Sequence, residues 1–204
     1  MTLALALLAA GAGSRMRGRD KLLETVQGVA LLRHLARQAL AAGLGPVAVT
    51  LRSDAPARVA VLEGLGVTLL PVADADAGMS ASLKVAADWA EGLNTEGLSA
   101  EGLMICPADM PELTTQDFIT LADAFYPDGP PLRACAQDGT PGHPVLFPAR
   151  LLGAFSALTG DRGAQPVLHR HPPRLIPLPG NRATTDLDTP EDWADWRSRQ
   201  TKAP

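Results

Sequence analysis

The chain has 204 residues, 46% of them apolar and 20% charged, a composition that suits one folded α/β domain with a large core and excludes a disordered chain. Its formal net charge of −4, with no long basic stripe, excludes nucleic acid as the main partner, because too few cations are available to displace phosphate counterions. No apolar run is long enough to span a membrane, and residues 3–10 lack the preceding positive charge of an export signal.

Residues 3–8 are short and uniformly apolar, as a central strand of a parallel sheet buried on both faces would be. The strand runs into a glycine turn and then into cations, LLAAGAGSRMRGRDK over residues 7–21. Gly11 and Gly13 have no Cβ to hold a ligand off the backbone, so successive N–H groups of the turn can face phosphate oxygens. Arg15 adds a planar fork and Lys21 a compact point charge, and both suit a polyphosphate. Two better-known glycine loops do not fit. The dinucleotide fingerprint G-x-G-x-x-G needs glycine where Met16 stands, and the Walker loop needs Lys and Ser or Thr where Arg19 and Asp20 stand. A strand, a turn and a solvated basic patch without function is the plain alternative for this segment alone.

Residues 29–42 have helical spacing, with Leu31, Leu35 and Ala39 on one side and Arg33, Arg37 and Gln38 on another, and Gly43 supplies a stop. Residues 46–51 read as a second buried strand and 67–72 as a third strand, on either side of a helix at 56–65. This alternation predicts βαβ units in a Rossmann-like three-layer α/β sandwich with a mostly parallel central sheet. In such sheets ligands bind beyond the carboxyl ends of the strands, which gathers the loops at 9–21, 73–82, 107–111 and around Asp186.

The run Gly78-Met79-Ser80-Ala81-Ser82-Leu83 enters a helical stretch that reaches Glu91. Ser80 or Ser82 can cap that helix, or the remaining hydroxyl and N–H groups can face a nucleotide. After a strand at 103–106 comes Pro107-Ala108-Asp109-Met110-Pro111. An acidic residue on a turn stiffened by two prolines suits a hard divalent cation such as Mg²⁺, which takes one or two carboxylates plus substrate phosphates. The alternative makes Asp109 a turn former or the cap of a helix spanning residues 113–125.

Residues 133–136 and 144–147 read as strands around a loop at 137–143, where His143 is either a surface residue or a border of the second substrate. In Gly160-Asp161-Arg162-Gly163-Ala164, Asp161 can cap the helix at 164–169. His169 and His171, two apart, are poorly spaced for shared metal ligation and are expected at the surface. In the run DLDTPED at 186–192, alternation puts Asp186 and Asp188 on one face of an extended segment. Thr189 can cap the following helix with Pro190 at its first position. Two neighbouring carboxylates are costly unless a cation or hydrogen bonds compensate. Cys106 and Cys135 have neither metal-ligand nor C-x-x-C spacing, which predicts reduced thiols and a cytoplasmic protein.

In that order, L-A-A-G-x-x-x-R-M with Lys21 six residues after Arg15, then G-M-S-x-S-L, D-M-P, G-H-P-V-L-F, G-D-x-G-A and D-x-D-T-P-E-D resemble the MobA-like NTP transferases, the molybdenum cofactor cytidylyl- and guanylyltransferases. The resemblance spans residues 7–192, within a single domain expected over residues 1–200. It implies the nucleotide-diphospho-sugar transferase type of fold and Mg²⁺-dependent transfer of a nucleoside monophosphate from an NTP to a small phosphorylated acceptor, with release of pyrophosphate. By that resemblance Arg15, Lys21 and Asp109 are the catalytic residues. Leu8, Ala9, Ala10, Gly11, Ala12, Gly13, Ser14, Arg15, Lys21, Gly78, Ser80 and Ser82 hold the nucleotide. Gly142, His143 and Asp161 border the acceptor, and Asp109, Asp186 and Asp188 hold the metal. The L-A-A-G turn looks more like the cytidylyl branch than the guanylyl branch, which tends to carry L-A-G-G, so CTP is expected over GTP with Ala10 facing the base. A molybdopterin-type acceptor, and a molybdoenzyme or its chaperone as partner, are implied by the resemblance alone. Arg17 departs from the family, which usually has Gly after R-M, and residues 94–102 look like a local insertion. The competing reading is a sugar-nucleotide transferase or a non-catalytic nucleotide-binding module of the same fold; intact Asp109, Asp186 and Asp188 favour an enzyme.

Overall fold

The computed structural model describes residues 1–95 and 97–200, apart from the side chains of Ser14, Asn94 and Thr95. The expected contact of the Ser14 side chain with nucleotide, and the heart of the expected insertion at 94–102, lie outside the described residues.

Strand β1 (Leu3–Ala9) separates two cores. Because successive strand side chains point to opposite faces, Leu3, Leu5 and Leu7 enter one core and Ala4 and Ala6 the other. The leucines share that core with Leu31 and Leu35 of α1 (Leu31–Ala41), Phe118 of α4 (Thr115–Asp123) and Trp193 of α6 (Pro190–Gln200). On the other face the small alanines leave room for α3 (Met79–Thr95), which contributes Leu83, Ala86, Ala87 and Ala90. Leu3, Leu5 and Leu7 are each fully buried, which stabilises the fold by about 2 kcal/mol apiece. Leu5→Ala would cost about 3 kcal/mol, since the cavity left behind adds to the lost transfer energy.

Strands β4 (Val47–Arg52) and β5 (Val67–Val72) extend the sheet on one side of β1, and β6 (Gly102–Pro107) adjoins the other, all in parallel. Beyond β6 come β8 (Pro141–Pro148), β7 (Leu132–Cys135) and β9 (Arg174–Pro177), giving the order β5-β4-β1-β6-β8-β7-β9. Among the described strands of this sheet, β8 alone runs against the rest. The Rossmann-like, mostly parallel α/β sheet is therefore as expected, and the reversal has a use. It brings the first residues of β8, Pro141 to His143, to the edge where β1 and β6 end and where ligands bind in such sheets.

Several elements differ from the sequence expectation. Helix α1 starts at Leu31 because Val29–Ala30 (β3) pairs with Thr25–Val26 (β2) in a short ribbon, and the Leu31 N–H donates to the Glu24 carbonyl at 2.8 Å. Helix α2 covers only Pro56–Ala60. Ser80 and Ser82 lie inside α3, so neither precedes it as a cap; the Met79 N–H donates instead to Asp161 at 3.2 Å. Asp161 is thus drawn to α3, away from its own helix α5 (Gln165–Arg170). Helix α4 starts behind Thr114, whose N–H and hydroxyl both donate to Asp117 at 2.8 Å, so Asp109 has no part in that cap. Gly142 and His143 belong to a strand, where a loop was expected. The 3₁₀ run Ala149–Ala157 and strand β9 were not anticipated; Phe155 of the former packs edge-on against Phe147 with centroids 5.0 Å apart. Among the described residues no helix is long and apolar enough to cross a membrane.

Candidate active site

Two cavities open along the carboxyl edge of the sheet and share one wall made of Lys21, Met79, Pro107 and Asp109. The smaller, about 440 Å³, is lined by Leu8, Ala9, Ala10, Gly11 and Ala12 and, opposite them, by Gly78, Ser82 and Asp161. The larger, about 630 Å³, is lined by Gly13, Arg15, Gly142, His143, Asp186 and Asp188. Residues expected on the nucleotide loop and residues expected beside an acceptor therefore flank a common partition. Ser80 is the exception on the first list: it is buried and lines neither cavity, and its N–H donates to the Gly160 carbonyl at 3.1 Å. Asp161 lies on the side of the glycine loop, away from Gly142 and His143.

Each part of the partition is held by its own segment. Asp109 follows β6, where the Ala108 N–H donates to the Leu8 carbonyl at 3.1 Å and ties the Asp109 turn to the end of β1. Asp188 precedes α6, which is capped by Thr189 as the sequence suggests, its hydroxyl accepting from Asp192 N at 3.1 Å, and Asp192 reciprocates. The Asp192 carboxylate accepts from Thr189 N at 2.8 Å and from Asp188 N at 3.2 Å, and the Leu187 N–H donates to the Asp109 carbonyl at 3.2 Å. Close backbone approach explains two glycines. A Cβ on Gly142 would collide with the Ala183 carbonyl, and one on Gly78, whose φ is +92°, would collide with the Asp161 carboxylate. Sequence reading found neither packing partner.

Charge is concentrated at the partition. Lys21 Nζ donates to Asp109 Oδ2 and Asp188 Oδ1, both at 2.5 Å, and Arg15 pairs with the other oxygen of Asp188. Burial of the ammonium pulls the Lys21 pKa down, but Asp109, through charge and a hydrogen bond, and then Asp188 outweigh it and leave the pKa above its ordinary value. Asp186 lies nearby, and one oxygen from each of Asp109, Asp186 and Asp188 falls within 4.8 Å of the others. Partial burial of its carboxyl, then Asp109 and Asp188, push the Asp186 pKa up, with Lys21 acting the opposite way. Asp109 Oδ1 is buried with no hydrogen-bond partner. A buried carboxylate oxygen without a donor is costly, and a hard divalent cation with oxygen ligands satisfies it, so these residues fit a divalent metal.

His143 is half-buried, with Nδ1 enclosed and unpartnered, and its N–H donates to the Ala183 carbonyl at 2.7 Å. Burial, then the charge of Arg133, push its pKa down to about 4, against a smaller pull from Asp109. It is a neutral imidazole at physiological pH. Cys106 and Cys135 are both free and buried; burial, then Asp109, raise the Cys106 pKa well above its ordinary value, so this thiol is inert.

One residue beside the glycine loop has no counterpart in the sequence reading. Arg58 of α2, only 4% exposed, donates to the carbonyls of Ala9 at 2.6 Å and Gly11 at 2.8 Å and to both oxygens of Asp20 at 2.7 and 3.1 Å. Turning these carbonyls toward the guanidinium leaves the far side of the turn to face the smaller cavity. An arginine within the short apolar run P-A-R-V-A was the available signal, since an Arg on a buried helix face demands partners.

The profile of the MobA-like NTP transferase domain matches residues 5–175, whereas no curated protein matches the chain. Among solved structures, Rv0371c from Mycobacterium tuberculosis H37Rv is 27% identical, with 95% of this chain and 96% of that chain covered and a TM-score of 0.80. A structure of Rv0371c in complex with manganese is 26% identical over 100% of both chains, with a TM-score of 0.71. A nucleotidyl transferase from Methanothermobacter thermautotroptrophicus shares the fold at 21% identity, with 98% of each chain covered and a TM-score of 0.76. Because the profile runs from β1 to β9 across most of its length, the chain belongs to the MobA-like NTP transferase family of nucleotidyltransferases.

Proposed function

We propose that this protein, as a single domain, is a Mg²⁺-dependent nucleotidyltransferase that moves a nucleoside monophosphate, from CTP in preference to GTP, to a phosphate on a small acceptor of the molybdopterin type. The observation that carries the reading is the partition itself: Lys21 and Asp109 stand between a cavity walled by the glycine loop and a second cavity walled by Gly142 and His143, and Asp186 and Asp188 approach them from the wall of the second. A divalent cation held by Asp109, Asp186 and Asp188 would neutralise the triphosphate and the charge that develops on departing pyrophosphate. Manganese in the Rv0371c complex supports a divalent metal here.

The side chains then divide the remaining work. Backbone N–H groups of the turn at residues 9–13 cradle the phosphates. Lys21 and Arg15, now paired with Asp109 and Asp188, exchange carboxylate for phosphate oxygens. In-line attack needs alignment and charge neutralisation more than a protein nucleophile, and neutral His143 can hold an acceptor without adding charge. Ala10 lines the smaller cavity, in keeping with a base-facing position, and CTP preference rests on the L-A-A-G resemblance. A cytoplasmic setting, and delivery of product to a molybdoenzyme or its chaperone, complete the reading. The test is pyrophosphate release from each of the four NTPs, with and without a molybdopterin acceptor, against Mg²⁺ concentration. CTP should be the best donor, and Asp109→Asn should lower turnover by about 100-fold or more. Unchanged turnover and metal dependence in Asp109→Asn would remove the proposed centre.

A further inference from the structure

Beyond Pro141 and Arg133, which also line the larger cavity, lies a groove of about 670 Å³ between α5 and the β7–β9 edge. Its charged lining is of one sign: Arg133, Arg162 and Arg170, with His169 and Gln165 adding hydrogen-bond donors and no carboxylate on its walls. In this chain of net charge −4, Arg15, Arg17, Arg52, Arg58, Arg182 and Arg197 are paired with acids, whereas Arg33, Arg150 and Arg174 donate to backbone carbonyls. Among the described residues, Arg162 and Arg170 have no ion pair or side-chain hydrogen bond. Arg133 is fixed by donating its Nε–H to the Gly142 carbonyl at 2.9 Å. The segment carrying Arg162 is fixed as well, since Asp161 accepts from Met79 and a Cβ on Gly163 would press on the Met79 sulfur.

We propose that this groove is a subsite for a second anionic group of the acceptor, a phosphate or carboxylate on the same molecule whose reacting phosphate faces Lys21 and Asp109. The proposal rests on the nucleotidyl-transfer reading and sets aside its molybdopterin-type acceptor, which has one phosphate and no carboxylate, in favour of acceptors with at least two such groups. Concavity and continuity with the reaction cleft favour a small ligand over a macromolecule, because the volume is that of a small-molecule site and Arg133 and Gly142 join the two compartments. Planar guanidinium forks suit either oxyanion in a bidentate grip.

Inorganic phosphate is the probe, titrated into the intact protein with CTP and Mg²⁺ present and followed by the arginine Nε–Hε NMR signals, assigned with single Arg→Gln variants. Arg162 and Arg170 should shift together with one saturable isotherm. The double variant Arg162→Gln/Arg170→Gln should lose at least about tenfold in phosphate affinity, with CTP affinity by calorimetry within about twofold of the parent. A parent that binds CTP and Mg²⁺ but shows no saturable shift at these two arginines, or a double variant that binds phosphate as well as the parent, overturns the subsite alone. A parent in which phosphate binds at the two arginines but no NTP binds overturns the nucleotidyl-transfer reading, and with it the assignment of the groove to an acceptor. Running the titration with glycolate distinguishes carboxylate from phosphate as the preferred group.

Discussion

Arg58→Met is the sharpest probe of how the glycine turn is held. The substitution keeps most of the aliphatic stem and removes the guanidinium, so the Ala9 and Gly11 carbonyls lose their charged donor and Asp20 loses its partner. Breaking a buried pair from one side costs about 3–5 kcal/mol. The Asp20 side chain keeps 26% of its exposure and can rehydrate in part, so the lower end applies, about 3 kcal/mol. For a chain of this length that lowers the melting temperature by about 6–12 °C. Arg58→Lys keeps the charge but not the planar fork, and one ammonium cannot reproduce the same geometry to two carbonyls and a carboxylate, so it should recover only part of the loss. Chemical denaturation of Arg58→Met, Asp20→Asn and the double variant supplies the cycle, and the double variant should lose about 1–2 kcal/mol less than the two singles together. Nucleotide affinity should fall with Arg58→Met while metal affinity without nucleotide holds, since Asp109, Asp186 and Asp188 are untouched. A melting temperature within about 2 °C of the parent, together with strict additivity, would refute the idea that Arg58 braces the turn.

Arg17 adopts φ +53°, so Arg17→Gly should relieve about 1 kcal/mol of left-handed strain. Its exposed pair with Glu191 contributes little in return, so thermal denaturation should show an unchanged or slightly raised midpoint. Lys21→Ala should move two affinities in opposite directions: Mn²⁺ binding to the nucleotide-free protein, read by electron paramagnetic resonance, should strengthen by about tenfold because a competing cation leaves the carboxylates, while NTP binding by calorimetry should weaken. His143 makes stability depend on pH. Its folded pKa of about 4 lies below its unfolded value near 6.5, so the unfolded chain binds more protons between the two and stability falls as pH drops through that window, by about 2–3 kcal/mol in all. His143→Gln should flatten that part of the difference between urea midpoints taken at about pH 7 and about pH 4.5.

Apolar alternation made the sheet readable in sequence. Leu3, Leu5 and Leu7 alternate with alanines, and the strands flanking β1 are equally apolar, so both the strand and its burial on two faces follow from the residues. The loops at the carboxyl ends were readable for a chemical reason: glycines, a proline-flanked Asp109 and the D-T-P-E-D cap each have few structural uses. Longer-range relations were hidden. Nothing in Asp161 says that it will accept from Met79 rather than cap α5, since a carboxylate can serve any helix N-terminus that folding brings near. The reversal of β8, which carries His143 to the carboxyl edge of the sheet and half-buries it, depends on the β6–β8 pairing and cannot be seen in G-H-P-V-L-F. Arg58 escaped because its partners lie 38 to 49 positions away.

Under the proposed function, the charges at the partition also account for how an acidic protein would take a polyanion. Arg15 and Lys21 face Asp109, Asp186 and Asp188, two cations against three carboxylates, so without metal the cluster carries one excess negative charge and repels a triphosphate. One divalent cation held there would reverse that sign, satisfy the orphaned Asp109 Oδ1 and compete with Lys21 for the carboxylates it now holds. Lys21 would thereby be released toward the phosphates of an arriving nucleotide. Metal and nucleotide should therefore bind with positive coupling, and by linkage each must raise the affinity of the other by the same factor. Equal Mn²⁺ affinity with and without saturating CTP would contradict this account, because it would mean that Lys21 and the metal never contend for Asp109 and Asp188.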